Sequence, residues 1–449
     1  MSQFPHNYSA PTKQGVPDVV IPSSLMSQRV PKSIPTRNQV LSLPSQSGSA
    51  SASGSLNWSI PGGANANGFL RAGSLFWRGK CTIAKSAGGN ADNIVIFANE
   101  TQSASALINR FQLNANGVNL ETIARYDVYH AMLQSNAMNP SYVQNDGSIT
   151  EYANSGITTG TAQSGEFNFC IPLCSGVLSN EKSFPLFLSS LYLQIDLNSA
   201  LQAFKSYGTS PTGVTGFTLS ENELVYELIQ PDYSLLDGIR MQMQQSGKLF
   251  EMPCSTALGL QSSINANTSS FSYNVGLNLS SVSAVLMAEI SATVEAEDAC
   301  ANVVNVRNSF IRNSVDSNTV SRKFYLDSKQ LCSYNVSRDS QNLMETQRAL
   351  SILLDPTTVC LGSRDIADNT AGSYTASGVA NQRYYVVGQS ARRFNEADNI
   401  AMCGTPANTL VIQNTKDTTT ANVASSVYIY VIYDQVIVIS ADGSVAVAK

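Results

Sequence analysis

Cys170 and Cys174, four apart in FNFCIPLCSGVL (167–178), have a spacing at which a metal ion or a redox couple must be considered. If the stretch is extended, the two point to one face but lie roughly 13 Å apart, at about 3.3 Å per residue. A disulfide needs Cα atoms within about 4.4–6.8 Å, and a shared zinc needs both sulfurs at about 2.3 Å. Phe169, Ile171 and Leu173 alternate with the cysteines, so the stretch reads as a strand apolar on both faces, with both cysteines in the core. Pro172 places it at a sheet edge or bulge. Cys81, Cys254, Cys300, Cys332, Cys360 and Cys403 form no CxxC and stand near no histidine at ligand spacing, so they read as small buried hydrophobes.

The other reactive residue types are sparse. There are two histidines. His6 sits in a proline-rich segment, and His130 lies on an apolar helical stripe, where a core histidine is the plainer reading than a base. Glu295, Glu297 and Asp298 in TVEAEDA offer carboxylates for glycoside chemistry, but such clusters are usually solvated loops. Arg392 and Arg393 in SARRFNEAD suit an anion or an inter-subunit carboxylate, against the plainer solvated loop. PGGANANG (61–68) lacks the GK[ST] ending of a phosphate loop, and RGKC (78–81) falls within a strand. Aromatic VYIYVIYD could stack bases, yet its neighbours are apolar rather than basic, which suits a sandwich core. No catalytic residue, cofactor or metal ligand is assigned.

The elements that would position such groups are mostly strands. The chain has 449 residues, enough for two or three domains. Charged residues make up 13%, about half the usual quarter, while Ser, Thr, Asn and Gln are abundant and suit large contact surfaces. A net charge of −5 excludes a general electrostatic trap for nucleic acid. The polar N-terminus has no signal-like apolar segment and no run is long enough to span a bilayer, so a soluble, cytosol-made chain is expected. Asn-x-Ser/Thr triplets such as those at Asn57 and Asn278 then read as chance matches.

Residues 1–46 carry seven of the sixteen prolines and read as an extended arm that docks on a partner; SGSASASGS (47–55) reads as a flexible linker. FLRAGSLFWRGKCTIA (69–84) alternates, with Leu75, Trp77, Gly79 and Cys81 on one face and Phe76, Arg78 and Lys80 on the other. Asn116-Gly117 predicts a hairpin turn. NLETIARYDVYHAMLQSNA (119–137) predicts a helix with Ile123, Tyr126, His130, Leu133 and Ala137 on one stripe, Asn119 as cap and Glu121 in the first turn. Strands follow at 189–198 and 222–236.

A second cycle repeats the order. Residues 270–296 are β-rich. SRDSQNLMETQRALSILL (337–354) predicts a helix with Leu343, Gln347, Leu350 and Leu354 on its stripe. NTLVIQNT (408–415) and SVYIYVIYDQVIVISADGSVAVA (426–448) close the chain, the latter folding back at Asp442-Gly443. Tyr126 to Leu193 nearly equals Met344 to Leu410, which points to an internal duplication.

FNFCIPLCSGVLSNEKSFPLFLSSLYLQIDLN (167–198) resembles a stretch of double jelly-roll major capsid proteins. ETIARYDVYHAMLQ (121–134) is similar to the helix that interrupts their first barrel, ELVYELIQPDYSLLDGI to their exit strand, and YIYVIYDQVIVISADGSV to their closing strands. The likeness is to small icosahedral double-stranded DNA viruses of the adintovirus, polinton-like and adenovirus lineage. It implies an all-β chain of two tandem eight-stranded antiparallel jelly-roll sandwiches, each with a short interrupting helix. The expected division is an arm and linker over 1–47, a first jelly roll over 48–245 and a second over 246–449. Also implied are a homotrimeric pseudo-hexagonal capsomer, neighbouring capsomers, penton and minor capsid proteins as partners, and a virion location. The arm would run beneath a neighbour or toward an internal membrane. Its few charges predict no strong direct nucleic-acid binding. Two other readings stay open: a single-barrel coat protein contacting its genome, and a β-sandwich adhesin that binds glycans.

Overall fold

A computed structural model describes residues 36–63, 68–86, 94–99, 101, 103–137, 157–158, 164–179, 182–208, 212–297, 299–300, 310, 321–336, 339–351, 386–393, 402–415 and 424–449. Eight strands build a first barrel: β1 (Thr36–Pro44), β2 (Ser55–Ile60), β3 (Phe76–Lys85), β4 (Ile108–Ala115), β5 (Val118–Ala124), β6 (Ser164–Pro172), β7 (Leu191–Leu197) and β8 (Val214–Pro231). They pair in two antiparallel sheets, ordered β1-β8-β3-β6 and β2-β7-β4-β5. This is the jelly-roll order, in which successive strands alternate between the sheets except for the β4–β5 hairpin. Alternation makes the sandwich: Trp77, Cys81 and Ile83 point inward from β3, and Leu56, Trp58 and Ile60 from β2. Trp77 meets Trp58 and Phe169 edge-on, at ring separations of 6.4 and 4.8 Å.

The second half repeats the scheme. Its strands are β9 (Phe250–Ile264), β10 (Ser270–Ser291), β11 (Ser321–Leu326), β12 (Lys329–Gln330), β13 (Val386–Ser390), β14 (Thr405–Thr415), β15 (Ser425–Ile439) and β16 (Val445–Ala448). β10 serves both sheets. Residues 270–282 pair with β14, and residues 282–291 pair with β15, with register shifts at the crossing. Counting β10 twice gives β9-β15-β10-β13 and β10-β14-β11-β12, the order of the first barrel. Helix α1 (Tyr126–Ala137) follows the fifth strand of its barrel; another helix, Asp339–Ala349, occupies the same slot in the second. The duplication inferred from spacing therefore has a topological counterpart.

Several expectations need correction. Residues 36–44, assigned to the arm, form an edge strand paired with β8 from Thr36↔Pro231 to Pro44↔Glu223. Leu41 and Leu43 pack on the core, which draws the segment in. The 47–55 linker is a turn with a short strand, Ala50–Ser51, on β8. The rest of the arm, 1–35, lies outside the described residues.

The first helix starts seven residues later than predicted, because the Asn116-Gly117 turn folds 118–124 back onto β4 and Arg125 turns with φ 48°. Glu121 is thus a strand residue. The strand expected to 236 stops at Pro231, and a helix missed in the sequence, α2 (Tyr233–Ser246), links the barrels. Its signals were present: the Asp232 side chain caps the Ser234 N–H, Leu236 and Met243 share the buried face, and Gly247 supplies the left-handed C-terminal residue.

The helix at 339–349 buries Asn342, Thr346 and Ala349, leaving Met344 exposed and Leu343 half-buried. The reason is the strand beneath: Asn342 and Thr346 donate to the Val386 carbonyl, and Thr346 accepts from the Gly388 N–H. Leu354 lies outside the described residues.

β6 ends at Pro172, on the edge of its sheet, as a residue without a donor requires. Cys170 and Cys174 are both half-buried, Cys174 packing against the core, and neither forms a disulfide. Cys170 alternates with Phe169 and Ile171 and faces outward.

Candidate functional site

The barrels meet in a seam built around β5, the turn at Arg125, and β9 and β15 of the second barrel. β15 is apolar on both faces. Val427, Ile429 and Val431 fill the second barrel's interior. Tyr428 and Tyr430 lie on the opposite face, and with Ile437 and Ile439 farther along the strand they belong to the same hydrophobic cluster as the first barrel's core. The sandwich-core reading of VYIYVIYD holds, but one of its faces is covered by the other barrel.

Polar groups fix the register of that contact. The Arg125 guanidinium grips both oxygens of Asp127 at 3.1 Å and reaches Glu295 at 3.1 Å and the Tyr428 hydroxyl at 2.6 Å. It also lies 4.8 Å from the Tyr428 ring centroid, a cation–π distance. The Arg125 carbonyl accepts from Tyr430 at 2.7 Å. Burial opposes charge on Arg125, but Asp127 overrides it and keeps the guanidinium protonated. Glu295 is partly buried, yet hydrogen bonds from Ser426 and Tyr428 and the charge of Arg125 hold its carboxyl below the usual range. Of the acids read as a solvated loop, Glu295 is therefore a seam residue; the Asp298 side chain lies outside the described residues. Lys205, fully buried, donates to the carbonyls of Val294, Glu295 and Glu297, around the end of helix α3 (Ala292–Ala296).

Glu121 anchors a second cluster. Its carboxyl accepts from Ser175, from the Gly176 N–H at 2.8 Å and from Thr256, across the seam, at 2.7 Å. Burial pushes its pKa up against these hydrogen bonds. Gln435 donates to the Leu120 carbonyl at 2.8 Å, and Asn116 to that of Gly443 at 2.6 Å. Within the second barrel, Asp434 accepts from Ser255, Ser281 and Ser283 at 2.7 Å each, pinning the place where β10 changes partner.

This arrangement holds two bodies together; its carboxylates are occupied by donors and cations. His130 is buried and stacked on Tyr126 at 5.6 Å. Burial lowers its pKa to about 4, so it is neutral at pH 7. Its depressed value makes protonation costly in the fold. That contribution to stability is present above the unfolded pKa of about 6.5 and is lost as pH falls through about 4. His130→Phe is expected to flatten the acid side of a stability–pH profile, removing on the order of 3 kcal/mol of dependence. Chemical unfolding at pH 7 and pH 4 measures it, and an unchanged profile contradicts it. His6 lies outside the described residues.

Among the described residues, no three His, Cys, Asp or Glu side chains are grouped to hold a metal ion. A shallow groove on the outer face of the first barrel is lined by Arg78, Asn168, Cys170 and Glu223, with Lys80 and Glu166 beside it. Arg78 pairs with Glu223, and Lys80 with Glu166 at 2.8 Å. Arg392 bonds Ser351, and Arg393 reaches Thr405 at 3.3 Å, so both make contacts within the chain.

Two jelly rolls in tandem, linked by a helix and sealed by a seam, define a double jelly-roll protein. No protein-family model matches the sequence, and no curated protein matches it either. Solved structures do share the fold, and they are viral capsid proteins. The faustovirus major capsid protein superposes with a TM-score of 0.59 at 9% identity, over 93% of this chain and 92% of that one. PBCV-1 VP54, as fitted into a reconstruction of the virophage Sputnik, gives 0.57 at 12% identity, over 93% and 98%. The Sputnik virophage structure gives 0.55 at 12% identity, over 100% and 94%. The chain thus shares the double jelly-roll fold of these structures. The single-barrel alternative does not survive the second eight-strand set.

Proposed function

We propose that the chain is a major capsid protein of an icosahedral DNA virus, structural rather than catalytic, which trimerises into pseudo-hexagonal capsomers and tiles the shell. The observation that carries this reading is the complete two-barrel topology, matched end to end by capsid proteins. The barrels span 36–231 and 250–449, with α2 between them. The low charge and Ser/Asn-rich surface support lateral contacts that form reversibly. In this reading the protein resides in the virion, residues 1–35 reach a neighbour or an internal membrane, and penton and minor capsid proteins are further partners. Direct genome contact is weak. Electron microscopy of the purified protein, at rising concentration, tests the reading. Three-fold particles with six-lobed outlines, closing into shells, are expected. Single compact particles at every concentration would overturn it.

A further inference from the structure

The intrachain interface joins two kinds of surface. One is the junction that follows a barrel's fifth strand, Ala124 and Arg125 in the first barrel. The other is the outer face of a first-and-eighth-strand sheet, Tyr428 and Tyr430 on β15 of the second barrel. Each barrel owns both kinds of surface, because the two share one strand order. Among the described residues, the fold therefore uses one of each and leaves one of each open. The open sheet face belongs to the first barrel. There Phe76, 37% exposed, pairs with Val225, which pairs with Ser42, and Val40, 70% exposed, stands beside Glu227. Its counterparts Tyr428 and Tyr430 are each 1% exposed. The open junction belongs to the second barrel: Tyr334, 42% exposed, follows β12, and Met344, 51% exposed, lies on the helix after it. Tyr334 and Arg348 both bond Glu345, which gathers the patch into one place.

We propose that these two open surfaces bind each other between copies of this chain, so that the Phe76–Val40 face of one copy receives the Tyr334–Met344 junction of the next. The partner is a second copy because the complementary surface exists on the chain itself and repeats a contact already made within it. Ion pairs flank both surfaces: half-exposed Arg348 with Glu345 at the junction, and Arg78 with Glu223 and Arg71 with Glu227 on the receiving face. Two unlike surfaces on one chain make a head-to-tail contact, which closes into a ring when the rotation allows. The assignment rests on the trimeric reading above and says which residues make it.

The test places p-benzoylphenylalanine at Phe76 in the full chain, mixes heavy-isotope and light copies, irradiates, and maps the cross-linked peptides. The expected product joins residue 76 of one isotope to a peptide within 329–351 of the other. The reciprocal probe at Met344 is expected to capture peptides containing Val40, Phe76 or Val225. Phe76→Glu and Met344→Glu, both at exposed positions, are each expected to weaken association about tenfold or more. A trimer that cross-links elsewhere, or that ignores both glutamates, overturns the assignment while leaving trimerisation intact. A wild-type chain that never associates removes the trimeric reading itself.

Discussion

Arg125→Ala is expected to lower the unfolding free energy by about 3–5 kcal/mol, the cost of removing one partner from a buried ion network. The loss has two sources. Asp127 and Glu295 stay partly or wholly buried, with side chains 3% and 17% exposed, and lose their cation. The Tyr428 hydroxyl loses its 2.6 Å partner. Denaturant titration followed by tryptophan emission reports it well, since Trp58 and Trp77 lie in the first barrel's core. If the second barrel is undocked rather than unfolded, a separate transition appears before the main one. A change below about 1 kcal/mol, the range of an exposed pair, would show that apolar packing alone holds the barrels together.

Gly176→Ala is the second large effect, expected at about 3 kcal/mol, the upper range for forcing a carbon into a packed site. A methyl group there would overlap the Ser255 carbonyl of the other barrel, which is backbone and has no rotamer with which to yield. The same change would pull the Gly176 N–H from Glu121, whose carboxyl bridges to Thr256. Gly216→Ala is the control: nothing lies within 4 Å of the added carbon and no positive φ is required there, so a shift within about 0.5 kcal/mol is expected. Equal midpoints for the two variants would contradict the close approach of the barrels at Gly176.

The legible parts of the fold were those with local causes. The Asn116-Gly117 hairpin, the alternation around Trp77 and the Asp442-Gly443 return all appear where residue type and period two place them. Helix α2 was equally local, announced by the Asp232 cap and the Leu236/Met243 spacing, and the apolar strand before it masked the change of period. The seam was not local. Glu121 has the position of a helix first-turn acid and Glu295 that of a surface acid; only the approach of a second barrel makes one a buried anchor and the other an Arg125 partner. β15 showed that it must be covered on both sides, yet no single strand says what covers its second face. The polar stripe at Asn342 and Thr346 had a tertiary cause too, in the carbonyl of a strand about forty residues on.

The most direct test of the capsid account is the native mass of the purified chain by light scattering. The account predicts a discrete species near 144 kDa, three times the 48.0 kDa chain, persisting on dilution into the low micromolar range. A monomer of 48.0 kDa at all concentrations would contradict it.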